Sequence, residues 1–201
     1  MLDTRVIYGM DDLPETALVF SQSYLPQPRD LSPEARFEPD IIAKAQQQSV
    51  LFRRIALIHS SSNSTTRYCQ NIVDRLCEEA GIEDSPLNVM VYESKFPEGH
   101  ISLATDEVRL SRKLLSTLHF REDYIASVLA HEIGHYLLCD DILLNHPELG
   151  ADTPFDPVWD HFRANTRSYE SEYQADMTSV ILMNRLGYNP RSLGEALGLM
   201  S

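Results

Sequence analysis

Apolar residues recur along this chain with two different periods, and the switch between them marks out its elements. Ile41, Ile42, Ala45, Leu51, Ile55 and Ile58 return at roughly helical spacing, which predicts a helix from Pro39-Asp40 to about His59. Ser60 to Ser64 reads as a loop, and Thr65 or Thr66 caps a second helix that runs to about Ala80. Ile72, Val73 and Leu76 give that helix its apolar face, and Gly81 stops it. The period then falls to two: Leu87 to Tyr92 alternates and is rich in β-formers, so it predicts a strand. Lys95 to His100 is a turn region, with Pro97 and Gly99. Ile101 to Ala104 and Glu107 to Leu110 read as two strands around a tight turn at Thr105-Asp106. A short helix over Arg112 to Leu118 follows, then a longer one from about Arg121 to Cys139. Glu122 and Asp123 sit in the first turn of the longer helix, where the helix dipole favours negative charge. Asp140 to Asp160 is polar and broken by Pro147, Gly150, Pro154 and Pro157. Loops of that length inside a compact domain often carry function. The last long helix is expected from about Ala164 to Leu186, stopped by Gly187 before Asn189-Pro190, with a short terminal helix over Ser192 to Leu199.

Residues 1–39 differ from the rest. Pro14, Pro26, Pro28, Pro33 and Pro39 punctuate them, Val6-Ile7-Tyr8 and Ala17-Leu18-Val19-Phe20 suit short strands, and Ser32-Pro33-Glu34 suits a helix start. The division expected is an arm over 1–39, packed on or near the core, and one domain over 40–201.

Composition narrows the class. At 201 residues, 43% apolar and 23% charged, the chain can bury the core of one ordinary globular domain. A net charge of −13 disfavours nucleic acid or an anionic membrane as partner. Three cysteines, Cys69, Cys77 and Cys139, are too few and too irregular for a disulfide framework and read as free thiols of a reducing compartment. The first residues lack a basic segment followed by an apolar run, and no apolar run approaches the ~20 residues of a membrane span. A soluble, cytoplasmic protein with no membrane span is expected.

The chemistry concentrates in the helix over Arg121 to Cys139, which holds His131-Glu132-Ile133-Gly134-His135. Residues four apart share a helix face, so both histidines can aim a ring nitrogen at one metal ion, with Glu132 beside them as general base. Ile125, Val128, Leu129, Ile133 and Tyr136-Leu137-Leu138 make the helix apolar on most sides and therefore buried. A buried His-Glu-His group needs a partner, and a metal is the simplest one.

A catalytic zinc takes three protein ligands and keeps one position open. A metzincin would supply Gly and His where this chain has Leu138 and Asp141, so that class is excluded. Asp140, Asp141, His146 and His161 are candidates for the third ligand, but Ser168 to Asp176 offers a better one. There Glu172 can ligate the metal, with Glu170 as a lesser choice, and Asp176 shares its face and can hold a ligand histidine's other ring nitrogen. Ala175 is small enough to let the two helices approach.

His131-Glu132-x-x-His135 followed by Glu172-x-x-Ala175-Asp176 resembles the gluzincin peptidases. More closely it is similar to the family of HtpX-type and CAAX prenyl proteases. Val128-Leu129-Ala130, Leu182-Met183 and Leu186-Gly187-Tyr188-Asn189-Pro190 also fit that family. The resemblance covers roughly residues 66–195 and looks like a stand-alone, minigluzincin-like catalytic domain without the membrane helices of many relatives. It implies a zincin-like α+β fold, mostly helical, with a small mixed or antiparallel sheet whose edge strand precedes the metal-binding helix. Glu107, Val108, Arg109 and Leu110 are expected to be that edge strand and to bind substrate. The implied activity is that of a zinc metalloendopeptidase with one Zn(2+) per chain on His131, His135 and Glu172. Peptide bonds of a peptide or protein substrate would be hydrolysed by a metal-activated water, with Glu132 as base and Asp176 orienting a ligand. Tyr169, Tyr173, His161 and Arg167 are candidate oxyanion donors. Two alternatives are a catalytically silent, metal-stabilised binding or regulatory module of the same fold, and an ImmA-like regulatory peptidase.

Overall fold

The structure, a computed structural model, describes residues 32, 33, 37, 39–82, 85–138 and 169–200, with the backbone alone at 169–171. Helix α1 (Pro39–Ile55) and helix α2 (Ser64–Glu79) precede strands β1 (Asn88–Tyr92), β2 (Gly99–Ser102) and β3 (Glu107–Ser111). Helices α3 (Arg112–Thr117), α4 (Glu122–Leu138), α5 (Tyr169–Arg185) and α6 (Ser192–Met200) follow. The architecture is mixed α+β, mostly helical, with one small mixed sheet among the described residues, as the sequence implies. No helix among those residues is long and apolar enough to cross a membrane.

Local sequence explains most boundaries. Asn63, rather than Thr65 or Thr66, caps α2: its side chain accepts from the Thr65 N–H. A short amide side chain two residues before Thr65 wins the cap, and both threonines enter the helix. At the far end Gly81 adopts φ +76°, and the Ile82 N–H reaches back to the Cys77 carbonyl at 2.9 Å. Helix α5 ends the same way, with Gly187 at φ +74° and the Tyr188 N–H on Met183 O at 2.9 Å. Both glycines take the left-handed conformation that closes a helix. Ser111 ends β3 and caps α3, its hydroxyl accepting from the Leu114 N–H.

The sheet order is β1-β3-β2, with β1 parallel and β2 antiparallel to β3. This corrects the placing of Glu107 to Leu110 as the edge strand. Both sides of β3 are occupied, so Glu107, Val108, Arg109 and Leu110 cannot take up a further strand; β2 is the edge on that side. A hairpin is present, but β2 begins at Gly99, inside the expected turn region, and the turn takes 103–106 rather than Thr105-Asp106 alone; nor does a hairpin's pattern say which arm a third strand will join. The opposite edge, on β1, is partly covered by residues 57–59, through His59 N to Val91 O at 2.8 Å and Glu93 N to Leu57 O at 3.0 Å.

Alternation along the strands divides the sheet between two layers. Val89, Val91, Val108 and Leu110 enter the main core with Ile72, Leu76, Ile125, Leu129 and Ile133 from α2 and α4. Met90 and Tyr92 face the other way onto Phe52 of α1, whose ring meets Tyr92 edge-on at 5.0 Å. Of the arm over 1–39, Phe37 is described and is buried in the main core; the rest of that expectation lies outside the described residues, apart from Ser32, Pro33 and the first turn of α1. Cys69 and Cys77 are free and buried on α2, and burial pushes their thiols up to about 12 and about 11, so neither is a reactive thiolate. Cys139 lies outside the described residues.

Under α1 the sheet buries a charge. Glu107 accepts from Ser49 Oγ at 2.5 Å and Arg53 Nη2 at 2.7 Å on one oxygen, and from Arg109 at 3.1 and 2.5 Å on the other. Arg109 also stacks over Phe52 at 4.5 Å. Burial by itself would raise the carboxyl's pKa, but the Ser49, Arg109 and Arg53 hydrogen bonds outweigh it and hold Glu107 below the usual range. A depressed carboxyl adds stability above its unfolded pKa, about 4.3, and loses it as pH falls through the lower folded value. Glu107→Gln is therefore expected to cost about 1–3 kcal/mol in urea unfolding at pH 7. The gap to wild type should close below about pH 4.

Candidate metal centre

Helix α4 is buried almost throughout, because its apolar residues occupy nearly every side: Ile125, Leu129, Ala130, Ile133 and Tyr136 are each at most 1% exposed. A helix so enclosed places its polar residues by packing. Tyr136 Oη donates to Asp106 at 3.1 Å, tying α4 to the β2–β3 turn. Ser179 Oγ of α5 donates to Ser127 O at 2.9 Å.

Gly134 of α4 packs against α5. A Cβ on Gly134 would lie 2.9 Å from both Ala175 Cα and Ala175 O, and 3.2 Å from Thr178 Cβ. Two small residues therefore set how near α5 can come, and α5 carries the acidic residues.

That approach brings three donors together. His131 Nε2 and His135 Nε2 are 3.0 Å apart, with the rings edge-on at 86°. Glu172 Oε2 lies 3.4 Å from His131 Nε2, and Oε1 lies 3.6 Å from His135 Nε2. Ligands on a tetrahedral zinc at ~2.0–2.1 Å stand about 3.3 Å from one another. The two histidine nitrogens and the Glu172 carboxylate, which turns a different oxygen to each histidine, lie close to that spacing, so the residues present fit a small cation. These three are the one such group among the described residues.

Electrostatics favour a cation at the same point. His131 Nδ1 is 2.8 Å from Asp176 Oδ1. Burial would lower the pKa of this ring, yet Asp176, Glu172 and the charge of Glu132 prevail and lift it to about 9. The ring thus presents Nδ1 to Asp176 and Nε2 to both His135 and Glu172. Glu132 is not one of the three donors. It is buried at 5% exposure and its Oε2 accepts from the Ile101 N–H of β2 at 3.1 Å.

The structure thus gathers His131, Glu132, His135, Glu172 and Asp176. Tyr173 adjoins Glu172 on α5 and is 55% exposed. Asp140, Asp141, His146, His161 and Arg167 lie outside the described residues, as do the side chains of Tyr169 and Glu170. Two participants had no sequence reading: Gly134 as the point of helix contact, and the Ile101 N–H as partner of Glu132. The glycine's signal was Ala175, a small residue awaiting a small partner. A backbone donor leaves no signal in the residue type.

Residues 63–145 match the model of peptidase family M48, a gluzincin metallopeptidase family. The matched stretch runs from the cap of α2 past the sheet and through α4 to residue 145, and it contains His131, Glu132 and His135. Glu172 and Asp176 fall beyond it, joined to the motif by the fold. No curated protein matches the chain.

Alanine at a helical glycine ordinarily stabilises by up to about 1 kcal/mol. At position 134 a backbone stands where the Cβ would go, so the sign reverses. Gly134→Ala is expected to lose about 1–3 kcal/mol, read from the urea midpoint.

Proposed function

We propose that the chain is a zinc-dependent endopeptidase of the M48 type, binding one zinc ion through His131, His135 and Glu172. The observation that carries the reading is the convergence of His131 Nε2, His135 Nε2 and the Glu172 carboxylate, the histidine nitrogens 3.0 Å apart and one Glu172 oxygen 3.4 Å from the first and the other 3.6 Å from the second. Bound there, zinc supplies Lewis acidity, lowering the pKa of water and polarising a carbonyl.

The remaining steps belong to the chain. Asp176 takes the hydrogen of His131 Nδ1, which fixes the tautomer and leaves the Nε2 lone pair directed at that convergence. Glu132 removes the proton of the attacking water and passes it to the leaving amine. Two carboxylates on neighbouring elements thus divide the work: Glu172 holds and Glu132 transfers. An extended peptide or protein segment is the substrate class. It would add as a strand beside β2, since β3 is enclosed. Tyr173, Tyr169, His161 and Arg167 are the candidate donors for the developing oxyanion.

Peptide-library cleavage with mass-spectrometric readout should show chelator-sensitive hydrolysis restored by zinc. Glu132→Gln should lower turnover at least a thousandfold while zinc content stays at one per chain; turnover near wild type in that variant would sink the mechanism. If wild type binds zinc and cleaves nothing, the fold serves as a metal-stabilised binding module instead. Asp176→Asn should weaken zinc affinity about 10–100-fold in a competitive chelator titration. Glu172→Ala should lose stoichiometric zinc altogether.

A further inference from the structure

We propose that the backbone N–H of Ile101 is the positioning donor of the general base, holding one oxygen of the Glu132 carboxylate at the edge of β2. The inference rests on the peptidase reading and adds to it a residue outside the metal-binding helices.

The pairing of β2 with β3 shows why this donor is available. Ser111 N donates to Glu98 O at 2.8 Å, and the register pairs Gly99 with Leu110, His100 with Arg109 and Ile101 with Val108. Hydrogen-bonded and non-bonded pairs alternate in an antiparallel ladder. With Glu98 and Ser111 a bonded pair, so are His100 and Arg109, and Ser102 and Glu107. Gly99 and Ile101 then turn their backbone groups away from β3, to the open edge. Ile101 N–H meets Glu132 Oε2 there at 3.1 Å.

The contact suits a positioning role. Both partners are buried, Ile101 at 8% exposure and Glu132 at 5%. A buried carboxylate needs donors, and a hydrogen bond to an ionised acceptor is among the stronger kinds. A main-chain N–H has no rotamers. Its direction is set by the strand, and the strand is held by β3 and, through Asp106 and Tyr136, by α4 itself. One carboxylate oxygen is thereby committed to the sheet, leaving proton transfer to the other. The arrangement also bears on substrate: a strand added at this edge finds the Ile101 N–H engaged and pairs through the Ile101 carbonyl and Gly99.

Ile101→Pro removes the donor. Because that N–H faces away from β3, proline at this edge costs no ladder bond. Ile101→Val keeps the N–H and a β-branched side chain. In the zinc-loaded enzyme, Ile101→Pro should lower kcat about 10–100-fold with KM and zinc content unchanged, and Ile101→Val should stay near wild type. Amide exchange reads the contact without turnover: the Ile101 amide of the zinc-loaded protein should exchange at least tenfold faster in Glu132→Ala than in wild type. A raised KM at constant kcat in Ile101→Pro would overturn the inference, placing the N–H on substrate, and so would Ile101 exchange indifferent to Glu132→Ala. If Ile101→Pro does not fold, the exchange measurement decides alone. An active wild type with unchanged Ile101→Pro kinetics defeats this inference and leaves the peptidase reading standing; an inactive wild type defeats both.

Discussion

The separation of α4 and α5 at Gly134 and Ala175 is the constraint on which the site depends. Glu172 and Asp176 lie on either side of Ala175 in sequence, three residues before it and one after. His131 and His135 bracket Gly134 in the same manner. Fixing that one backbone contact therefore fixes the distance between a histidine pair and an acidic pair. A methyl group at position 134 would press on Ala175 backbone at 2.9 Å and on Thr178 Cβ at 3.2 Å. The cost falls on helix separation, since no flexible side chain can yield. Helix propensity and packing disagree at Gly134, and such disagreement marks a residue kept for geometry.

Around that contact the fold supplies stiffness from three directions. The Ser179–Ser127 bond holds α5 two turns beyond the site, and Tyr136 with Asp106 fastens the other end of α4 to the β-turn. Glu122, at the start of α4, gathers Tyr68 at 3.0 Å, Arg75 at 2.6 Å and Tyr188 at 2.7 Å, drawing α2 and the turn after α5 together. Glu122 is 41% exposed, so solvent screens this ion pair and its value is mainly directional. Glu107 is the opposite case: its carboxylate is 4% exposed, and the same kinds of partner are there needed to keep it charged.

What the sequence conveyed follows from how local each feature is. Helical and strand periods are local, so every described element was expected, most of them within a few residues. The two helix-stopping glycines were legible because the left-handed conformation belongs to one residue. His131, Glu132 and His135 share a helix turn, so their grouping is local too. Glu172 and Asp176 required a further step, from shared spacing and a small residue between them to a facing helix. Strand order was beyond reach. Val89, Val91, Val108 and Leu110 alternate identically whether β3 is central or at the edge, because alternation reports which face is buried and carries nothing about lateral neighbours. The misplacing of Glu107 to Leu110 came from that gap. One clue was present: Glu107 and Arg109 alternate with Val108 and Leu110, and charges of both signs two residues apart suit a strand face that another layer covers.

The same distinction explains why the partner of Glu132 was invisible. Side-chain chemistry is written in residue types, whereas the edge of a sheet presents its backbone, which every residue but proline possesses equally. Ile101 was legible as a core-facing apolar position, and it is one. Its second property, an outward N–H, exists because β3 took the other side of the strand and α4 was brought alongside by the core. Strand order thus has a chemical consequence here. Had β3 been the edge, Val108 and Leu110 would have met α4 across a different register, and the donor facing Glu132 would have been a different amide. In this fold the Glu132 carboxylate is oriented by topology, and the donors His131, His135 and Glu172 by the spacing of residues on two helices.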